Sequence, residues 1–383
     1  MIMYTASLHE CRDYKFDKIK ELLKSEINEL GGITNFVKKG DRVLLKPNLV
    51  MVKTPERAAT THPYIVRAVA EIVKEAGGEP IIADSPGGLF NEVLLKSVYS
   101  ASGMTEAASL SGAKLNYNTA TAETAYPDGK LLRKITVIDE LLKADKVINI
   151  SKLKTHGMMR MTGAVKNLFG TIPGTMKAEY HLNRPNVADF ANALIDICLF
   201  AKPVLNIMDA VIGMEGNGPT GGTPRNIGVL MTADNPFVLD IMAAYLIDIQ
   251  TSDIPVCEQA IKRGLSPESI DEIKIIGDSI HDFVVSDFKA PKSKVINITE
   301  KLPKPLYRVL NDVLQPYPHF DHSKCVSCRH CEENCPPHAI EMIDGKPVFT
   351  KNKCIRCFCC QELCPAIAIE IKRPVLYKIF SSL

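Results

Sequence analysis

A surplus of one charge is what this sequence lacks first. It sets 46 lysines and arginines against 44 acidic residues, a net of +2 over 383 residues. So even a balance gives no global attraction to nucleic acid or to an anionic membrane. Long apolar runs are missing as well, since none approaches the ~20 residues of a membrane-spanning helix. The opening Met1-Ile-Met-Tyr-Thr-Ala-Ser7 has neither the basic region nor the long apolar region of a secretory signal. The closing run 374–383 is apolar but short, and is expected to pack on the protein as a tail. Low-complexity tracts and short solenoid repeats do not occur. A Walker A loop and a recognisable flavin motif are also missing.

Cysteine, by contrast, is concentrated. Nine of the twelve cysteines fall in one segment, and eight of them share a repeated spacing. Cys325, Cys328, Cys331 and Cys335 are spaced C-x2-C-x2-C-x3-C and followed by Pro336. Cys354, Cys357, Cys360 and Cys364 repeat the spacing and are followed by Pro365. This is the bacterial ferredoxin run, in which the fourth cysteine of each half ligates the other cubane. The spacing therefore predicts two [4Fe-4S] clusters. One takes Cys325, Cys328, Cys331 and Cys364; the other takes Cys354, Cys357, Cys360 and Cys335. Zinc modules use two C-x2-C pairs, which this doubled run with its two prolines does not resemble. Cys359 breaks the count and reads as a small apolar residue packed near a cluster. The remaining cysteines, Cys11, Cys198 and Cys257, are scattered, as expected in a reducing cytoplasm.

Ahead of this segment, short apolar strands alternate with amphipathic helices. Strands are expected at 41–48, 79–84, 146–151, 204–209, 227–231 and 273–276. Helices are expected at 17–30, 62–76, up to about 111, 187–200 and 236–249. His62 before Pro63 reads as a helix start, and Asp240 as a cap or a core polar group. The alternation predicts an α/β fold, a largely parallel sheet with flanking helices. A small α+β ferredoxin-like domain follows at the C-terminus, with a hairpin turning at Asp344-Gly345. The expected divisions are 1–285 for the α/β domain, 286–322 for a linker rich in proline and lysine, 323–372 for the cluster domain and 373–383 for the tail.

Ligands of open parallel sheets bind beyond the carboxyl ends of the strands. Two polar constellations lie there. The first runs from Asn149 through Lys152, Lys154, His156 and Lys166, with Lys177 and His181 downstream. Lysine recognises carboxylate or phosphate as a compact cation, and glycine admits an anion to backbone N–H groups. The second holds Asp209, Glu215 and five glycines, Gly216 and Gly218 among them, between two strands. It is not a dinucleotide fingerprint at a strand-to-helix turn. Its carboxylates are candidates for metal binding or acid–base work. Lys154, His156, Lys166 and Glu215 are the catalytic candidates. Lys46, Asp84, Lys152, Asp209, Gly216 and Gly218 are the candidates for holding a ligand or cofactor.

Several motifs carry a resemblance: Leu45-Lys-Pro-Asn48, Thr61-His-Pro63, Ala83-Asp-Ser-Pro-Gly87, Ser151-Lys-Leu-Lys-Thr-His156, Thr162-Gly-Ala-Val-Lys-Asn167, Met208-Asp209 and Glu215-Gly-Asn-Gly-Pro-Thr-Gly-Gly222. Over roughly residues 1–280 the chain resembles the DUF362 iron–sulfur proteins. Members often end in a pair of ferredoxin motifs, as here. The resemblance implies one candidate site from Lys46, Lys152, Lys154, His156, Lys166, Asp209 and Glu215, and implies no reaction. The leading expectation is an oxidoreductase whose clusters relay electrons to a small anionic substrate or a cofactor in the α/β domain. A low-potential donor or acceptor protein would be its partner. The alternatives are an electron-carrying adaptor, and a ligase or transferase with structural or redox-sensing clusters. A flavin or divalent metal in the α/β domain, and the oligomeric state, stay open at this level.

Overall fold

The computed structural model describes residues 4–184, 186–291 and 316–372. Most of the expected linker, 292–315, and the expected tail lie outside them. Nine strands form the central sheet: β1 (Tyr4–Glu10), β2 (Arg42–Pro47), β3 (Glu79–Ile82), β4 (Lys114–Leu115), β7 (Lys146–His156), β8 (Arg160–Thr162), β9 (Leu205–Glu215), β10 (Thr223–Ala233) and β11 (Ile273–Gly277). A separate hairpin supplies β5 (Thr121–Ala125) and β6 (Lys134–Ile138). The sheet order is β11-β1-β10-β9-β7-β2-β3-β4, with β8 folded back on β7. Only β10 and β8 run against the rest, so the sheet is mostly parallel.

Side chains alternate across the sheet, as the two-residue period of a strand requires. Val43 and Leu45 join the core under the helices Phe16–Glu29 and Pro63–Glu75. Leu44 joins the core under the helix Val187–Ala201. A third core lies under the helix Pro236–Leu246. Both faces of the sheet are thus covered, which suits its continuous apolar strands. The structure adds β4, β5, β6 and β8 to the strands expected from the sequence, and differs from that reading further. β1 was not anticipated, and β7 and β9 run further than expected. Lys152, Lys154 and His156 therefore sit within a strand, and Asp209 sits in the middle of one.

The cluster unit is built from four short strands. β13 (Ile340–Ile343) and β14 (Lys346–Phe349) form a hairpin, with Asp344 and Gly345 both at positive φ in the turn. β12 (Tyr317–Phe320) pairs with β15 (Ile369–Lys372). Residues 317–320, expected at the end of the linker, thus belong to the cluster unit. The repeat is visible in the backbone. Ser327 and Arg329 have positive φ in the first half, and Arg356 and Phe358 occupy the same positions in the second.

Candidate functional site

The carboxyl ends of β2, β3 and β7 open onto one cavity of about 100 Å³. β2 delivers Lys46 and, just beyond it, Asn48. The turn after β3 delivers Asp84 and Ser85. β7 delivers Lys154, and β8 places Thr162 opposite it. A short helix, Ala164–Asn167, adds Lys166 and Asn167. A second, Met176–Asn183, adds Lys177 and His181. The remaining wall comes from the cluster unit: Asn334, Cys359, Glu362 and Leu363.

Each element is fixed by a local contact. Buried Asp240 accepts hydrogen bonds from the backbone N–H of Ala164 at 2.5 Å and of Val165 at 3.3 Å. It thereby caps the helix that carries Lys166, and burial pushes its carboxyl up to about 7. The Asn167 amide donates to the Lys46 carbonyl at 3.0 Å and to Asn149 Oδ1 at 2.8 Å, and Asn149 in turn donates to Asn206. This network fixes the amide with its own oxygen left over. Gly170 is required where it stands, because a β-carbon there would collide with Asp84 and Lys46.

The charges are unusually buried. Lys46 pairs with Asp84 at 2.8 Å with both side chains nearly inaccessible. Among the described residues Lys154 has no carboxylate partner; its ammonium donates to Asn48 Oδ1 at 2.8 Å and the Ala59 carbonyl at 2.6 Å. Burial, reinforced by neighbouring Lys166, pushes it down to about 7. Lys177 donates to the carbonyls of Ser85 and Pro86, and burial pushes it to about 7 as well. Lys166 lies over the Phe169 ring at 5.6 Å and is lowered by burial against the pull of Glu362. His181 stacks on Phe190 at 4.2 Å, and burial holds the imidazole neutral, at about 3.

His156 stands behind this wall. Its Nδ1 accepts from the N–H groups of Met158 and Met159, both at 3.2 Å, so the proton resides on Nε2. Nε2 meets Glu362 Oε1 at 2.7 Å, across the boundary between the two units. Burial opposes the charge on Glu362, but His156 and Lys166 prevail and hold the carboxyl low.

Of the candidates read from the sequence, the structure gathers Lys46, Asp84, Lys154 and Lys166 around the cavity and sets His156 directly behind it. The others are elsewhere. Lys152 and Asp209 form a buried pair at 2.8 Å, closed by the Tyr14 hydroxyl and by the N–H of His62. A register shift in the β7–β9 ladder separates them from the cavity: Lys152 lies opposite Asp209, but Lys154 lies opposite Met214. Glu215 and Gly216 tie down Lys289: Glu215 Oε2 accepts from the Lys289 N–H at 3.1 Å, and the Gly216 N–H donates to the Lys289 carbonyl at 2.7 Å. Gly218 packs against Thr155, with no room for a side chain. The glycine loop mainly docks the cluster unit, since Thr220 donates to the Glu362 carbonyl and Gln361 donates to the Asn217 carbonyl. Its Pro219 alone lines the cavity. Glu362, Asn334 and Leu363 were missed because they stand inside the cysteine motif, where spacing drew the reading to the thiols. An acid set between two cluster cysteines, Cys360 and Cys364, was the available signal.

The cluster cysteines line two further cavities of about 20 Å³ each. Cys325, Cys328, Cys331 and Cys364 surround one, and Cys335, Cys354, Cys357 and Cys360 the other. This is the crossed partition that the spacing predicts. Backbone N–H groups of Ala339, Arg356 and Ala368 point at the sulfurs of Cys335, Cys354 and Cys364 at 3.2–3.3 Å. Among the described residues, no three His, Cys, Asp or Glu side chains converge closely enough for a single ion. Four sulfurs around a void, each set fed by both halves of the repeat, fit a polyatomic cubane.

Residues 317–365 match a 4Fe-4S dicluster domain, and residues 43–245 match a family described as a domain of unknown function, DUF362. The thylakoid-associated protein sll1697 of Synechocystis sp. is 34% identical over 290 residues, covering 75% of this chain and 88% of that protein. Among solved structures, the lactate racemase apoprotein of Thermoanaerobacterium thermosaccharolyticum aligns with a TM-score of 0.32 and 11% identity, over 60% of this chain and 54% of that one. A Thermotoga maritima protein aligns with a TM-score of 0.32 and 16% identity, over 56% and 55%. The chain spans about half the length of those two structures. No helix among the described residues is long and apolar enough to cross a membrane. The family match covers the strands and helices that carry the four lysines, and the chain belongs to the DUF362 family, with a 4Fe-4S dicluster domain behind it.

Proposed function

We propose that this protein is an iron–sulfur oxidoreductase acting on a small anionic ligand held in the lysine-lined cavity. One observation carries the reading. Asn334, Cys359 and Leu363 wall the cavity, and each is the sequence neighbour of a cluster cysteine, Cys335, Cys360 and Cys364. Clusters of this type supply electrons one at a time. The chain's own residues then set the conditions at the ligand. Lys154, Lys166 and Lys177 offset negative charge in a site where burial makes each charge count for more than it would in water. Lys46 is held in place by Asp84. His156 keeps its proton on Nε2 and orients the Glu362 carboxylate.

A pure electron-carrying adaptor needs no buried cavity with four lysines, and this favours the catalytic reading. A low-potential donor or acceptor protein is the proposed partner, and the cytoplasm the proposed compartment. The test uses anaerobically prepared, cluster-loaded protein with about eight irons per chain. Small carboxylates and inorganic oxyanions are titrated into wild type and into Lys154→Ala and Lys177→Ala. Binding that both changes abolish at unchanged iron content supports the reading. Binding that survives both puts the ligand elsewhere, and zinc without inorganic sulfide would sink the cluster assignment.

A further inference from the structure

The proposed site also carries information about what it binds. Four ammonium groups line the cavity, those of Lys46, Lys154, Lys166 and Lys177, against two carboxylates, Asp84 and Glu362. When all four are protonated, as an anion beside them favours, two ammonium groups are left over from the carboxylates of the described lining. They are not set against the cluster cysteines. Lys154 and Lys177 point at Asn48, Ala59, Ser85 and Pro86, and Lys53, outside this group, is the lysine that feels the Cys364 thiol.

A second, independent observation concerns hydrogen bonding. Thr162 Oγ1, Asn167 Oδ1 and His181 Nδ1 are buried, belong to residues lining the cavity, and have no hydrogen-bond partner among the described residues. Thr162, Asn167 and His181 are only 2–3% exposed. Leaving such a group unsatisfied costs about 1–3 kcal/mol. Asn167 is the most informative, because its amide N–H groups are already committed to Lys46 and Asn149. The oxygen left over can only accept, so its partner must donate.

Size sets the last limit. At ~10–15 Å³ per water-sized position, a cavity of about 100 Å³ takes a ligand of up to roughly ten non-hydrogen atoms.

We propose that the ligand is a small dianion carrying a hydrogen-bond donor: two negative charges for the unpaired ammonium groups, and an O–H or N–H for Asn167 Oδ1. This rests on the reading of the cavity as an anion site. Two sources share the chemistry, a hydroxy- or amino-dicarboxylate and a hydrogen phosphate group.

Matched probes separate the possibilities. Malate, succinate and glycolate, and hydrogen phosphate and sulfate, are titrated at pH 8 into the cluster-loaded full chain by calorimetry. Within one of the two pairs, the donor-bearing member should bind about tenfold more tightly, malate over succinate or hydrogen phosphate over sulfate, as one hydrogen bond to a buried acceptor allows. The pair that discriminates names the source. Glycolate, with one charge, should bind at least about tenfold more weakly than the best dianion. Glycolate binding as tightly as that dianion overturns the charge inference. Equal affinities within both pairs overturn the donor inference. In either case the anion site itself survives, provided Lys154→Met and Lys177→Met, with iron content intact, weaken whatever binds. If no anion binds wild type, or if neither variant weakens binding, the site reading fails with it.

Discussion

Anion binding at pH 8 should take up nearly two protons. Burial pushes the Lys154 and Lys177 ammonium groups down from 10.5 to about 7 each. In the free protein at pH 8, each is therefore about one-tenth protonated. A dianion lying against them favours the charged form and restores both protons, so uptake is about 1.8 at pH 8 and about 0.2 at pH 6. The same shifts fix the sign of two pH dependences. A depressed folded-state value means that the stability these groups contribute is complete above 10.5 and is lost as pH falls through about 7. The unliganded protein should thus gain stability from them between pH 7 and 10.5. Ligand affinity should run the other way, rising as pH falls through that window and levelling off below 7. The assay is calorimetric titration of malate, whose two carboxylates stay ionised throughout, in two buffers of different ionisation enthalpy. The dependence of apparent enthalpy on buffer enthalpy reads the proton count directly. Lys154→Met should lower the count by about one. A count under about 0.5 at pH 8 would refute the reasoning, since it would mean that the two lysines are already charged in the free site or do not face the anion.

Three further outcomes follow from contacts already described. Lys46→Met leaves Asp84 buried without its partner and should cost about 3–5 kcal/mol in urea denaturation; Lys46→Met/Asp84→Asn should recover most of it, and an equal loss in the double variant would acquit the pair. Asp240→Ala removes the acceptor for two N–H groups of the Ala164–Asn167 helix and should cost about 1–2 kcal/mol while weakening malate binding through Lys166 and Asn167; unchanged affinity would show that the cap does not position them. Cys335→Ser should lose the same cluster as Cys354→Ser, so the double variant retains about four irons, like either single change, whereas Cys325→Ser/Cys335→Ser retains almost none; the opposite pattern would show that each half keeps its own cluster.

The parallel sheet was legible because its strands are buried on both faces and read as apolar runs, as at Val43–Leu45 and Val147–Ile150. What hid the ends of β7 was its polarity. Lys152, Lys154, Thr155 and His156 look like a loop in sequence, yet all are buried within the strand. Lys152 and Lys154 find their partners far along the chain, at Asp209 and Asn48, and His156 lies against Glu362; no local pattern reveals such partners. Lys152 and Lys154 have the same surroundings in sequence and different ones in space, because the irregularity that divides them belongs to the pairing of β7 with β9. The cluster cysteines were legible for the opposite reason: their geometry is set by the cubane and therefore by spacing. Glu362 needed both kinds of information, a motif to fix its place and a distant histidine to give it a role.

The position of Glu362 ties the two halves of the protein together. It lies two residues from Cys360 and two from Cys364, and these belong to different cluster cavities. The backbone between them can therefore be held from both ends, by thiolates that ligation fixes in space. Leu363 on the same turn packs close to Gly87, and the Glu362 carbonyl accepts from Thr220. With both cysteines ligated, the turn has little freedom left, and the acid and the leucine close the lysine cavity. Without ligation, the wall rests on the weaker contacts alone. Cluster assembly and closure of the cavity should therefore be coupled. Protein stripped of iron by an anaerobic chelator is expected to keep its α/β domain, and all four lysines, yet bind malate at least about tenfold more weakly, a loss of roughly 1.4 kcal/mol. Undiminished affinity in the stripped protein, measured by the same calorimetry, would show that the α/β domain builds the site alone and that the cluster unit only stands beside it.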